Sequence, residues 1–213
     1  MNFNFQIYQT YVTLIKDIVT SLSAIIVAII AILGLQAWKK QLKGKNEFDL
    51  AQHLLQNVYK LRNAINWVRN PRQTSAEISQ ARKESKIEGD PSADPKIHLL
   101  EETAVYQLRW NIIQDALIDY ETISLEAEAI WGKEIKEKLD LLLRCVSTLK
   151  VNIQKRLVDL GKLKTDYNVE TENKIDSIIY GFYGDEKNNA FSNEILEAVK
   201  QIEDFLKPYL RIK

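Results

Sequence analysis

An all-α fold is what this sequence predicts: a single N-terminal transmembrane helix followed by a cytoplasmic helical bundle with long antiparallel helices. Three observations lead there. Between Asp17 and Lys39 lie 21 residues without a charge. Beyond them, apolar residues recur at steps of three and four along several long stretches, the period of a helix that buries one face. Only seven glycines and four prolines interrupt 213 residues, which leaves few turns.

The chain opens with a tail, residues 1–17. Phe3, Phe5, Tyr8 and Tyr11 give it the makings of a short aromatic face lying along a membrane interface, with a frayed tail as the alternative. Residues 18–38 follow as the transmembrane helix. At 1.5 Å per residue that segment is about 31 Å long, the thickness of a hydrocarbon core. Its centre, from Ala24 to Leu33, contains only Ala, Ile, Val and Leu. A cleaved signal peptide would carry its basic residues before the apolar run, whereas here they come after it.

Those residues are Lys39, Lys40, Lys43 and Lys45; only Lys16 and the terminal amine precede the span. The positive-inside rule then puts the N-terminus outside and the C-terminal domain in the cytoplasm. Trp38 falls at the inner boundary, where an indole keeps its ring apolar and its N–H wet. Trp38 and the four lysines are therefore the expected contacts with membrane lipids. Charge is graded in the same sense. Residues 39–97 hold 12 basic and 7 acidic residues, and residues 98–213 hold 16 and 21. A basic segment beside an anionic leaflet gains about 1 kcal/mol per cation. Within the span, Ser21, Ala24, Ala28 and Ala31 recur at three and four, a small-residue stripe through which spans of several copies could meet as a homo-oligomer.

Residues 39–70 read as a juxtamembrane helix. Ala51, Leu54, Val58, Leu61, Ile65 and Val68 form a seam along it, and Asn70-Pro71 ends it. Residues 71–97 read as a polar loop, with at most a short helix near 76–86; Arg69, Arg72, Arg82, Lys83 and Lys86 make its start basic. A solvated mobile loop is expected. No aromatic interleaving or nucleic-acid motif accompanies these cations, so a nucleic-acid partner is not expected.

Residues 98–213 supply the bundle, completed by 39–70. One helix carries Ile113, Ala116, Tyr120, Ile123, Ala127 and Ile130, widened by Val105, Leu108 and Ile112. Gly132 makes a corner, and a second helix carries Ile135, Leu139, Leu142, Val146, Leu149 and Ile153, continued by Leu157 and Leu160. The pair should form an antiparallel hairpin. A short helix around Ile175, Ile178, Ile179 and Phe182 ends in the segment 180–184, whose glycines flank aromatics. Ser192 can cap a last helix on Ile195, Val199, Ile202 and Phe205 before Pro208.

Chemistry is harder to find. No phosphate-cradling glycine motif, HExxH or GxSxG is present, and the two histidines, His53 and His98, look structural. Neither has the upstream arginine that helical ribonucleases of the HEPN class carry. Cys145 is a lone cysteine on a packed stripe, expected to be a small buried hydrophobe, and no Cys/His cluster marks a zinc site. No catalytic residue, metal or cofactor is expected.

The juxtamembrane string from Trp38 through Lys39-Lys40-Gln41-Leu42-Lys43-Gly44 to Lys45, followed by Glu47-Phe48 and the stretch 54–71, resembles uncharacterised bacterial single-span inner-membrane proteins of similar size. That resemblance covers about a third of the chain and implies an architecture without an activity. By layout alone, one span plus a helical cytoplasmic domain also looks like membrane effectors of bacterial anti-phage systems, such as retron-associated or CRISPR-accessory proteins. The expectation is a non-enzymatic single-pass membrane effector acting by self-association and membrane perturbation. The alternative is a membrane-anchored adaptor that recruits a cytoplasmic protein partner.

Overall fold

A computed structural model describes residues 3–161, 169–181 and 189–210, with side chains from Thr10 onward except that of Val169. The protein is all-helical, 89% helix, with six helices and no strand among the described residues. In order they are α1 (Phe3–Val68), α2 (Ser75–Ser85), α3 (Pro95–Trp131), α4 (Lys133–Leu160), α5 (Val169–Ile179) and α6 (Ala190–Leu210). Two compact units divide the chain, Met1–Phe48 and Asp49–Lys213, and α1 contributes to both.

Within the second unit, the last part of α1 buries the seam its spacing predicts: Ala51, Leu54, Val58, Leu61 and Ile65 are fully inaccessible and Val68 nearly so. The core they join is shared with α3, α4, α5 and α6. α4 packs against α3, α5 and α6, so its stripe of Ile135, Leu139, Leu142, Val146, Leu149 and Ile153 lies at the centre. α3 and α4 run in opposite directions. Tyr120 donates to the Leu139 carbonyl at 2.9 Å, Lys136 pairs with Glu128 at 3.0 Å and Lys150 lies 5.7 Å from the Trp110 ring centre. As one residue number rises along these pairs, the other falls. Gly132 makes the corner with φ 74° and ψ −157°, a backbone state nearly reserved for glycine, while open space surrounds the position a Cβ would take. Backbone conformation, not crowding, is what demands glycine there.

Several expectations are corrected. The stretch 71–97 contains α2, eleven residues opened by a capping box in which Thr74 and Glu77 satisfy each other's backbone N–H groups. It is packed, not a free loop: Ala81 is buried against Ala104 and Val105, and Arg82 pairs with Glu101 at 2.6 Å. α3 starts at Pro95, with Asp94 accepting from the Lys96 N–H at 2.8 Å, and His98 lies in its first turn as expected. Ile112 and Ile130 point outward at 44% and 50% exposure, because the α3 stripe turns away from the core at those steps. α6 starts at Ala190, two residues before Ser192; Asn189 is the cap, accepting from the Ser192 N–H at 2.8 Å. Pro208 lies within α6, in its last turn. Of the segment 180–184, only Tyr180 and Gly181 are among the described residues, and Phe182 lies outside them.

Leu142→Ala should lose about 2–5 kcal/mol, since a fully buried leucine leaves a cavity. Leu125→Ala, 67% exposed, should change stability by less than about 0.5 kcal/mol. Denaturant unfolding followed by circular dichroism measures both; equal losses would contradict this core.

Candidate functional site

Two features of the chain are unusual enough to be candidates for function, one in each unit. In the first unit, α1 presents every side chain from Thr10 to Asn46 to its surroundings. Ile18, Leu22, Ile25, Ile29, Leu33 and Trp38 are each 50–60% exposed. A helix that is apolar all round and leaves that surface bare is one that an apolar solvent such as a membrane, or another protein surface, would cover. One helix is thus long and apolar enough to cross a membrane. Its hydroxyls fit that solvent: Thr20 donates to the Lys16 carbonyl at 2.8 Å and Ser23 to the Val19 carbonyl at 2.7 Å, so neither is left without a partner.

Helical geometry places Ser21, Ala24, Ala28 and Ala31 on one side of α1, all exposed. Trp38 is 59% exposed. Lys39, Lys40, Lys43 and Lys45 are exposed as well and spread around the helix as a collar, with Lys43 reaching Glu47 at 3.7 Å. Tyr11 is exposed; the side chains of Phe3, Phe5 and Tyr8 lie outside the described residues.

In the second unit two arginines lie in the interior, one of which, Arg69, reads from the sequence as part of a basic loop start. Arg69, one residue past α1, is 2% exposed. Its guanidinium donates to the Ile178 carbonyl at 2.8 Å, the Ser177 carbonyl at 3.3 Å, Ser192 Oγ at 3.0 Å and Asn189 Oδ1 at 3.3 Å. Phe191 covers it, with the ring centre 4.9 Å away. Burial lowers its pKa to about 10, still well above neutrality, so the side chain stays charged. Its own carbonyl accepts from the Gly181 N–H at 3.0 Å. Arg69 therefore ties the ends of α1 and α5 to the start of α6.

Arg109 on α3 is 3% exposed and pairs with both carboxylate oxygens of Glu77 through one guanidinium edge, Nε and Nη2. Its remaining donors take the carbonyls of Val68, Asn70 and Arg72, the last at 2.7 Å. Helix C-terminal carbonyls have no partners within their own helix, and a cation there also gains from the helix dipole. Each arginine therefore acts as a C-cap supplied from elsewhere in the chain. The Arg109 hydrogen bonds hold the Glu77 carboxyl below its usual range, against a smaller opposing effect of burial.

No protein-family model, curated protein or solved structure matches this chain. The site has to be read from its own geometry.

His53 and His98 are exposed on helix surfaces. Cys145 is 6% exposed, and burial pushes its thiol up to about 11, so the group is held as a neutral thiol. Among the described residues, no three His, Cys, Asp or Glu side chains gather as metal ligands would. Sequence reading did not find the two arginines, although a signal existed. Arg109 stands four residues after Val105 and four before Ile113, in core register, and Arg69 stands four after Ile65. The spacing of Thr74 and Glu77 likewise announces the capping box.

Arg109→Met would leave the partly buried Glu77 carboxylate with the Thr74 N–H alone, would take the guanidinium from three carbonyls, and should cost about 3–5 kcal/mol. For Glu77 the pH dependence has a definite sign. Its folded pKa is depressed, so its contribution is complete above the ordinary 4.5 and fades as pH falls through the folded value. The stability gap between the native chain and Glu77→Gln should therefore be constant near neutrality and close in acid. Asp176, whose pKa burial raises, has the opposite sign but is common to both proteins and cancels from the difference. A gap that persists unchanged into strong acid would contradict the assignment.

Proposed function

We propose that this protein is a non-enzymatic single-pass effector of the bacterial cell membrane. Its N-terminus lies outside and its helical bundle lies in the cytoplasm, and it acts when the spans of several copies associate and perturb the bilayer. The observation that carries the reading is the uncovered apolar segment 18–38, which enters the buried seam of the second unit along the same helix, α1. A tether would need only length and hydrophobicity. This span also carries Ser21, Ala24, Ala28 and Ala31 on one side, where small side chains let helix backbones approach closely in lipid. The lysine collar sets the orientation, and Trp38 sets the depth. Anti-phage defence is the setting that the layout favours, with a cytoplasmic event acting on the bundle as the trigger.

The alternative is a membrane-anchored adaptor, for which the span is exchangeable. It is favoured by the exposed apolar residues Ile118 and Leu125 on α3, which a protein partner could cover. Replacing residues 18–38 with an unrelated apolar span of equal length separates the two. In cells, induced expression of the native chain should collapse membrane potential and arrest growth, and the replacement should abolish both effects while still fractionating with membranes. Ala24→Leu with Ala28→Leu should act in the same direction, by blocking close approach. Unchanged potential and growth on induction of the native chain would end the effector reading, and full activity of the replaced span would establish the adaptor.

A further inference from the structure

α4 and α6 are apolar on one side, but α3 carries an apolar inner line, interrupted only by the buried Arg109, and an uncharged outer one. Its inner line, with Val105, Ile113, Ala116, Tyr120 and Ala127, fills the core. An outer line starts at Leu100 and steps by 3, 4, 4, 3, 4, 4, 3 and 4 residues to Ala129. Every residue it meets is exposed, and none is charged: Leu, Thr, Gln, Asn, Gln, Ile, Thr, Leu and Ala in turn. Steps in this ratio return eleven residues later to nearly the same angle, so the line stays on one side of a straight helix over about 44 Å. At its centre, Ile118 and Leu125 are 63% and 67% exposed and lie two helical turns apart. Single exposed leucines need no explanation, but a charge-free seam of this length on a helix otherwise rich in acids does.

The rim of the seam decides what can cover it. Between Gln114 and Ala129 the chain has five acidic residues and no Lys or Arg. Asp119 is engaged by Lys60 at 2.6 Å and Glu128 by Lys136 at 3.0 Å. Asp115, Glu121 and Glu126 have no ion pair among the described residues, and Glu121 flanks the seam on one side while Asp115 and Glu126 flank it on the other. A second copy laid along the same face would bring acids against acids, and an anionic lipid surface would be repelled for the same reason. A helix with an apolar line bordered by lysines and arginines meets both requirements.

We propose that the outer face of α3 is a docking surface for a basic amphipathic helix of a protein partner. Its apolar line lies on Ile118 and Leu125, and its cations lie against Asp115, Glu121 and Glu126. This surface stands whether the span is an active element or a tether.

The test uses the full chain in nanodiscs of zwitterionic lipid, with empty discs as the blank. The probe is a designed, fluorescently labelled helical peptide of about seven turns, with a leucine line bordered by Lys and Arg. Anisotropy should show binding that weakens roughly tenfold or more in Ile118→Asp with Leu125→Asp. Asp115→Asn with Glu121→Gln and Glu126→Gln should weaken it too and remove its salt dependence. All five positions are exposed, so circular dichroism and unfolding midpoints should match the native chain. A chain with a replaced span should bind the peptide as the native chain does, which separates this result from the fate of the effector reading. Equal binding by the seam variants, or equal binding of a peptide with an acidic border, would overturn the proposal. So would a native oligomer that the Ile118→Asp, Leu125→Asp variant dissociates, since the occupant would then be a second copy.

Discussion

Where α1 stops, its last carbonyls have no partners within the helix, and how they are satisfied organises the second unit. Asn70-Pro71 prevents the helix from continuing, and a buried helix end without donors would be costly. Arg109 answers this from α3 with a guanidinium that reaches the Val68 carbonyl, the last of α1, and the Asn70 and Arg72 carbonyls just beyond it, while the Ile65 and Trp67 carbonyls accept from the Arg69 and Asn70 N–H groups. Arg69 does the same for the end of α5 at Ser177 and Ile178. Burying two guanidinium groups is expensive, and several charge-assisted hydrogen bonds at helix C-termini offset that cost. Glu77 neutralises Arg109. Arg69 is held by carbonyls, Ser192, Asn189 and the Phe191 face, and keeps its charge although burial lowers its pKa.

The two units carry the apolar residues of the same helix in different patterns. From Tyr11 to Trp38 the apolar residues of α1 lie on every side of the helix, and none is covered by protein. From Leu50 to Val68 most of them lie on one side, and that side is buried, with Trp67 the exposed exception. The change of pattern falls across the lysine collar. The first part of α1 is long and apolar enough to cross a membrane, and the last part joins an enclosed core.

Much of this was legible in the sequence because it depends on periodicity. The seam from Ala51 to Val68 and the α4 stripe from Ile135 to Ile153 are buried as their spacing requires, and Gly132 makes the corner between α3 and α4. Two kinds of feature were not legible. Arg69 reads as one of the cations that make the start of the 71–97 stretch basic, and Arg109 draws no reading of its own, yet both occupy core register, and only the geometry of helix ends explains why a charge belongs there. The polar stretch 71–97 was read as a solvated loop because it lacks a strong apolar stripe. α2 needs little of one, since Ala81, the capping box and the Arg82–Glu101 and Arg109–Glu77 pairs fix it on α3. The cap of α6 was displaced from Asn189 to Ser192 because both residue types cap helices, and the difference is set by Asn189 also bonding Arg69 and the Ser177 carbonyl.

Everything proposed about function rests on α1 crossing a membrane with the second unit inside the cell. The chain carries a convenient silent background for testing this: its only cysteine, Cys145, is buried and held as an unreactive thiol. New cysteines at Asn2→Cys and Lys45→Cys, treated in intact cells with a membrane-impermeant maleimide, report each side of the span separately. The account predicts labelling of the Asn2→Cys chain in intact cells and of the Lys45→Cys chain only after permeabilisation. Labelling in the reverse order, or a chain that washes from membranes in alkaline carbonate, would contradict it.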